Sequence, residues 1–308
     1  MRVLVERVAQ LRPGVRPPGA GIEGPRQVSV IASSAIPVEP AEPAEIDRIA
    51  PTRRPLGRPA GYQRWRQLAF VHWRVPIAAL SRLVPPGLAI DTFDGEAFIG
   101  IVPFTMRGVR PRWAPAISAI SDFHETNVRT YVHRDGADPG VWFFSLDAAN
   151  RLAVALARTF WHLPYHHARM TLVERDGELH YASERRRAER RAAERRTAHR
   201  RADGPMFQAT CRPLGAPAPA TPGTLEHFLA ERYFLYAQAD AGELRRGQVH
   251  HAPYPLQPAE LTSWDESLLA AAGIARPTAP PLVHFASGVD VEVFALTRVR
   301  SALTPGRS

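Results

Sequence analysis

The densest chemistry in this chain lies along 123–131, FHETNVRTY. In an extended segment side chains alternate between two faces, so Phe123, Glu125, Asn127, Arg129 and Tyr131 share one face; His124, Thr126, Val128 and Thr130 share the other. A row of carboxylate, amide, guanidinium and phenol beside an apolar strand at 141–146 is expected to be buried. Buried charge needs a partner or a ligand. In a ligand site, Arg129 would grip an anionic group through its planar fork, Asn127 and Tyr131 would hydrogen bond beside it, and Glu125 would act as acid, base or acceptor. The competing reading is an internal Glu125–Arg129 pair that only closes the fold.

Other candidates are more dispersed. Ser145 and Asp147 precede an expected helix at 150–160; Ser145 is a candidate ligand contact, and Asp147 reads best as the helix N-cap. Tyr233 follows Glu231 and Arg232 where a helix hands over to a strand, and is a further candidate contact. His72 reads as a packed histidine. Neither His166-His167 nor His250-His251 can chelate one ion alone, because neighbours on a strand point to opposite faces. One histidine from each pair could join Glu125 only through tertiary contact. His162 and His166 have helical chelate spacing, but Pro164 lies between them.

No metal and no cofactor is therefore expected, and the chain has no glycine-rich dinucleotide or phosphate loop, nucleophile elbow or zinc signature. All 39 basic residues are arginine. Without lysine the protein cannot form a Schiff base through a side-chain amine. The single Cys211 allows neither an intramolecular disulfide nor a thiolate cluster.

The formal charge of +9 is unevenly placed. Residues 1–58 hold nine Arg against six acids, and 184–201 hold nine Arg against three Glu, so +3 and +6 account for all of it. The remaining body is balanced, which argues against a nucleic-acid-binding surface on it. The run 184–201 repeats Glu-Arg-Arg without interleaved aromatics and reads as a solvated insert between two strands. Residues 1–58, rich in Pro and Arg, read as a disordered extension; 59–300 form one domain, and 301–308 a tail. No signal peptide or long apolar run is visible, so a cytoplasmic location without a transmembrane segment is expected.

The elements that must position the row follow from alternation and turn residues. Strands are expected at 64–73, 88–93, 96–109, 123–132 and 141–146, with a polar turn at 134–140. Later strands are expected at 165–174, 178–183, 206–212, 233–238, 243–250, 281–286 and 289–296. Short helices are expected after Pro76, at 224–231 and at 266–272. Hairpins imply antiparallel pairing. The fold class is α+β, mainly antiparallel β: a closed or nearly closed sheet with short peripheral helices.

Several stretches carry a family likeness. RWRQLAFVHWRVP, LVPPGLAIDTFDGEAFIGIVPFTMRGVRPR, ETNVRTYV, GVWFFSLDAAN, HARM, FLAERYFLYA, HHAPYPLQPAE and LVHFASGVDVEVFAL resemble the YqjF-like family of uncharacterised proteins, domain of unknown function 2071. The resemblance covers about 59–300 and implies the acetoacetate-decarboxylase-like β-barrel, whose cone of strands encloses a small-molecule cavity. Decarboxylases of that group use lysine with glutamate and arginine partners. Phe123-His124-Glu125 resembles their aromatic-x-Glu strand, which implies a site role for Glu125. The stretch after Trp142 resembles the place of their lysine but reads Phe144-Ser145-Leu146-Asp147.

The function expected is thus binding, with or without transformation, of a small carboxylate-bearing metabolite. Any catalysis would be lyase-like or acid–base, and not through a lysine imine. The alternative is a non-enzymatic module whose arginine-rich insert recruits an anionic partner. Pairing of edge strands into a homo-oligomer stays open.

Overall fold

The computed structural model describes residues 45–152, 154–155, 161–186, 204–239 and 242–299. Residues 1–44 of the expected 1–58 extension, most of the expected helix at 150–160, residues 187–201 of the expected 184–201 insert and the 301–308 tail lie outside these residues. Residues 45–58 lie inside them, packed on the body. Arg48 reaches Asp91 at 2.5 Å, Arg54 reaches Glu292 at 2.6 Å, and the Pro51 carbonyl accepts from Gln248 at 3.1 Å.

The chain makes one sheet of β1 (Gly61–Val75), β2 (Ala89–Ile90), β3 (Ala97–Pro111), β4 (Phe123–Arg134), β5 (Ala137–Ala148), β6 (Tyr165–Arg175), β7 (Glu178–Arg185), β8 (Met206–Pro213), β9 (Phe234–Gln238), β10 (Leu244–His250), β11 (Leu256–Glu266), β12 (Leu282–Val293) and β13 (Thr297–Arg298). Short helices α1 (Ile77–Ser81), α2 (Ser118–Ser121), α3 (Leu225–Ala230) and α4 (Leu268–Ala271) flank it. Thr224 caps α3 by accepting from the His227 N–H.

The pairings close on themselves. β1, β3, β4, β5, β9, β10 and β12 form a ring in which each strand bonds to the next and β12 returns to β1. β6, β7, β8 and β11 form an arm that leaves β5 and rejoins β12. Most pairs are antiparallel, as the hairpin signals imply. The exceptions are β5 with β6 and β5 with β9, both parallel. Such pairs join strands distant in sequence, so no local turn announces them.

This topology explains why β4 is buried on both faces. Leu68, Val102, Phe104 and Leu146 belong to an apolar cluster inside the ring. Val71, Ile101, Val128 and Phe207 belong to a second cluster between the ring and the arm.

Four expectations need correction. The β4–β5 turn is the tight Asp135-Gly136, so both strands run longer than hydrophobicity alone marks. The Asp94-Gly95 turn closes only a Phe93–Glu96 bridge, while Ala89 and Ile90 pair with β4. Strand β11 was not among the expected strands. It pairs with β12 up to Pro258 and with β8 from Ala259 onward, so the proline sits where one partner gives way to the next. The two closing strands are one, β12, continuous through Gly288. A Cβ there would lie 2.2 Å from the Trp65 carbonyl oxygen.

Candidate functional site

Inside the ring is a cavity of about 470 Å³. The β3–β4 register sets its depth: Arg129 pairs with Gly100, Asn127 with Val102, Glu125 with Phe104 and Phe123 with Met106. Phe123, Glu125, Asn127 and Arg129 all line it, so period-two alternation placed these four correctly. At the Arg129 end the lining is buried; at the other, Tyr62, Arg110, Pro111, Ile120 and Leu152 are partly or fully exposed and form the mouth.

The floor is built on the end of α3. The last carbonyls of a helix have no partner within it. Leu229 O accepts from Arg129 Nη2 at 3.0 Å and from the Tyr131 hydroxyl at 2.6 Å. The Tyr131 oxygen also lies 2.6 Å from His72 Nε2. Because a carbonyl can only accept, the tyrosine proton belongs to Leu229, and His72 donates through Nε2–H. That leaves Nδ1 as the bare nitrogen, and it is buried without a partner. Burial, with Arg129 and His284 nearby, holds the His72 imidazole well below its ordinary pKa, so the ring is neutral.

Arg129 is buried, and among the described residues no carboxylate pairs with it; its Nε has no hydrogen-bond partner. Its guanidinium carbon lies 5.5 Å from the Phe70 ring centre. The Glu125–Arg129 pair weighed from sequence does not form. Four residues of strand, roughly 13 Å of backbone, separate the two, and the Arg129 guanidinium turns instead to the Leu229 carbonyl. Glu125 instead accepts the Tyr165 hydroxyl at 2.8 Å. Burial pushes its carboxyl up to about 8; nearby Asp147 adds to the rise, and the Tyr165 and Asn127 contacts oppose it. At neutral pH Glu125 is therefore mainly protonated.

The remaining candidates stand outside the cavity lining. Tyr131 lies beneath the floor. Tyr233 gives its hydroxyl to Glu231 at 2.7 Å and stacks on His251 at 4.5 Å. Glu231 also accepts the Tyr254 N–H at 2.8 Å, so Tyr233 helps hold the segment that brings Tyr254 into the cavity wall. Ser145 is buried opposite Val128, and its hydroxyl has no partner. Asp147 is not a helix cap. It belongs to β5 and bonds Arg185 at 2.9 Å, while Asn150 accepts the Leu152 N–H. Burial raises the Asp147 carboxyl to about 6 against the pull of Arg185. The paired histidines assemble no three-ligand group with Glu125 among the described residues.

Gly100 makes room for His72. A Cβ on it would stand 2.7 Å from the imidazole Cδ2 and 2.8 Å from Nε2. Gly100→Ala is expected to cost about 1–3 kcal/mol, because the ring is clamped by Tyr131 and cannot yield without losing that bond. A thermal melt within 1 °C of the wild type would show that the floor adapts freely.

The DUF2071 model, described as an uncharacterized conserved protein, matches residues 62–290. The chain belongs to this family. Uncharacterized protein YqjF of Bacillus subtilis (strain 168) is 38% identical over 236 residues, covering 77% of this chain and 91% of that protein. The fold of this DUF2071 member is that of the acetoacetate-decarboxylase-like proteins. Enduracididine biosynthesis enzyme MppR complexed with pyruvate aligns at 12% identity and a TM-score of 0.53, over 79% of this chain and 91% of that one. Acetoacetate decarboxylase from Legionella pneumophila gives 16% and 0.52, over 82% and 94%. An acetoacetate decarboxylase-like enzyme from Sphingomonas wittichii RW1 gives 14% and 0.52, over 80% and 96%. No helix among the described residues is long and apolar enough to cross a membrane.

Sequence reasoning missed Tyr165 and Tyr254, the hydroxyls at Glu125 and near Arg129. The parallel β5–β6 pairing places Tyr165, with Leu146 opposite it. A lone tyrosine in a strand carries no local mark of that role.

Proposed function

We propose that this DUF2071 protein binds a small carboxylate-bearing metabolite in the ring cavity, with Arg129 pairing the ligand's carboxylate and Glu125 exchanging a proton with it. The observation that carries this reading is a buried guanidinium at the closed end of a cavity, paired with no carboxylate among the described residues. A buried cation without a counter-ion favours an anionic ligand strongly. Glu125, protonated in the free protein, can give its proton to a carbonyl oxygen or carbanionic carbon and take one back as carboxylate. With no lysine, catalysis proceeds without an imine. Solved neighbours in this fold hold pyruvate or bear the name of acetoacetate decarboxylase, which supports an oxo acid as the first class to test.

The test is a thermal-shift titration of the full chain with pyruvate, acetoacetate and 2-hydroxy acids, beside Arg129→Met. A ligand that binds only the folded form raises the melting temperature by mass action. Wild type is expected to be stabilised, and the variant to bind about 10- to 150-fold more weakly, the range for losing a charge-assisted hydrogen bond. Equal shifts in both proteins would remove Arg129 from the site. The alternative, recruitment of an anionic partner by the arginine-rich insert, rests on residues 184–201. Arg185 at its root is already engaged by Asp147, so a deletion testing it must begin after Arg186.

A further inference from the structure

The cavity is larger, and more one-sided in its chemistry, than a short oxo acid requires. At ~30 Å³ per water, 470 Å³ corresponds to about sixteen water molecules, roughly twice the heavy atoms of pyruvate or acetoacetate. Its polar side chains concentrate toward the closed end, on Arg129, Asn127, Glu125, Tyr165 and Tyr254. Moving outward along β3 and β4, the wall becomes Phe104, Phe123 and Met106. Six residues of strand separate Arg129 from Phe123, about 20 Å of depth. At the mouth Ile120 and Leu152 remain 39% and 48% exposed, and Trp113 and Ile117, on the same segment as Ile120, are more exposed still. A polar edge accompanies them, with Arg110 over the Tyr62 ring and Gln63 accepting the Trp65 indole N–H.

We infer that the ligand is an amphiphilic carboxylate, whose acid group reaches the closed end and whose apolar body fills the cavity toward the Ile120 and Leu152 rim. This rests on the reading of Arg129 as the carboxylate anchor. Water held against the aromatic and aliphatic wall has few hydrogen-bond partners there, so replacing it by hydrocarbon is favourable at about fourfold in affinity per buried methylene. A two- or three-carbon acid would satisfy Arg129 and leave that wall wet.

Isothermal titration of the full chain at pH 7 decides this, using straight-chain acids from acetate to dodecanoate below their micelle concentrations, pyruvate, and the primary alcohols of matching length. The dissociation constant is expected to fall three- to fourfold with each added methylene until the cavity is full, and then to level. Each alcohol is expected to bind at least tenfold more weakly than its acid. If acids beat alcohols but long acids bind no better than acetate or pyruvate, the amphiphile is overturned and the carboxylate anchor survives. If affinity follows length but alcohols bind as well as acids, the anchor fails, and the assigned ligand class with it. Absence of saturable binding by any acid overturns both.

Discussion

Glu125→Gln gains stability over the wild type as pH rises, by on the order of 3 kcal/mol between about pH 5.5 and about pH 8.5. The sign follows from the direction of the Glu125 shift. Its folded pKa, about 8, lies above the ordinary carboxyl value of 4.5. Between those two values the folded protein holds a proton that the unfolded chain releases, so raising the pH favours unfolding. The stability that the neutral carboxyl permits is complete below the unfolded value and is lost as pH climbs through the folded one. Glutamine keeps an acceptor for the Tyr165 hydroxyl and has no proton to lose, so its melting temperature lacks this component.

The difference between the two proteins is the quantity to measure. Buried histidines such as His72 and His251 titrate over part of the same range with opposite sign, and they cancel between variant and parent. A 3 kcal/mol change corresponds to roughly 6–12 °C in a chain of this size. Once a substrate is in hand, the same variant is expected to lose turnover while keeping its fold. A pH-independent difference would place the Glu125 carboxyl in the ordinary range and end its role as proton donor.

The row on β4 was legible because alternation is a local rule: once 123–131 is a strand, Glu125, Asn127 and Arg129 must share a face. What surrounds the row was not legible. The ring closes through the parallel β5–β9 pair and through β10–β12, both between strands far apart in sequence. The same distance hid Tyr165. Asp147 was misread because a helix cap and the end of a strand attract the same residue type, and only the position of Arg185 tells them apart. β11 went unexpected, and its Pro258 sits where the partner strand changes from β12 to β8. Tyr131 shows the limit of a periodic argument. It stays in phase with the row but falls below the floor, where Leu229 and His72 claim its hydroxyl.

That floor depends on a buried ion cluster that no sequence pattern marked, and it sets the second large effect. Asp91→Ala is expected to destabilise the protein by about 3–5 kcal/mol. The Asp91 side chain is fully buried between two arginines, with Oδ1 2.5 Å from Arg48 and Oδ2 2.8 Å from Arg232. Removing it leaves the Arg232 guanidinium, itself 2% exposed, without a counter-charge over the Phe228 and Tyr131 rings. Arg48 is 23% exposed and can turn to water, so Arg48→Met is expected to cost only about 1 kcal/mol. The asymmetry separates a buried charge left alone from a general loss of contacts. Arg232 also donates Nε–H to Phe228 O at 2.8 Å, next to the Leu229 carbonyl that holds Arg129. Where Asp91→Ala still folds, it should therefore weaken carboxylate binding although Asp91 does not line the cavity. Urea unfolding of the two variants measures the first effect, and titration with the best acid the second. Equal losses for Asp91→Ala and Arg48→Met would mean that Arg232 finds solvent or another partner, and that the floor does not hang on this pair.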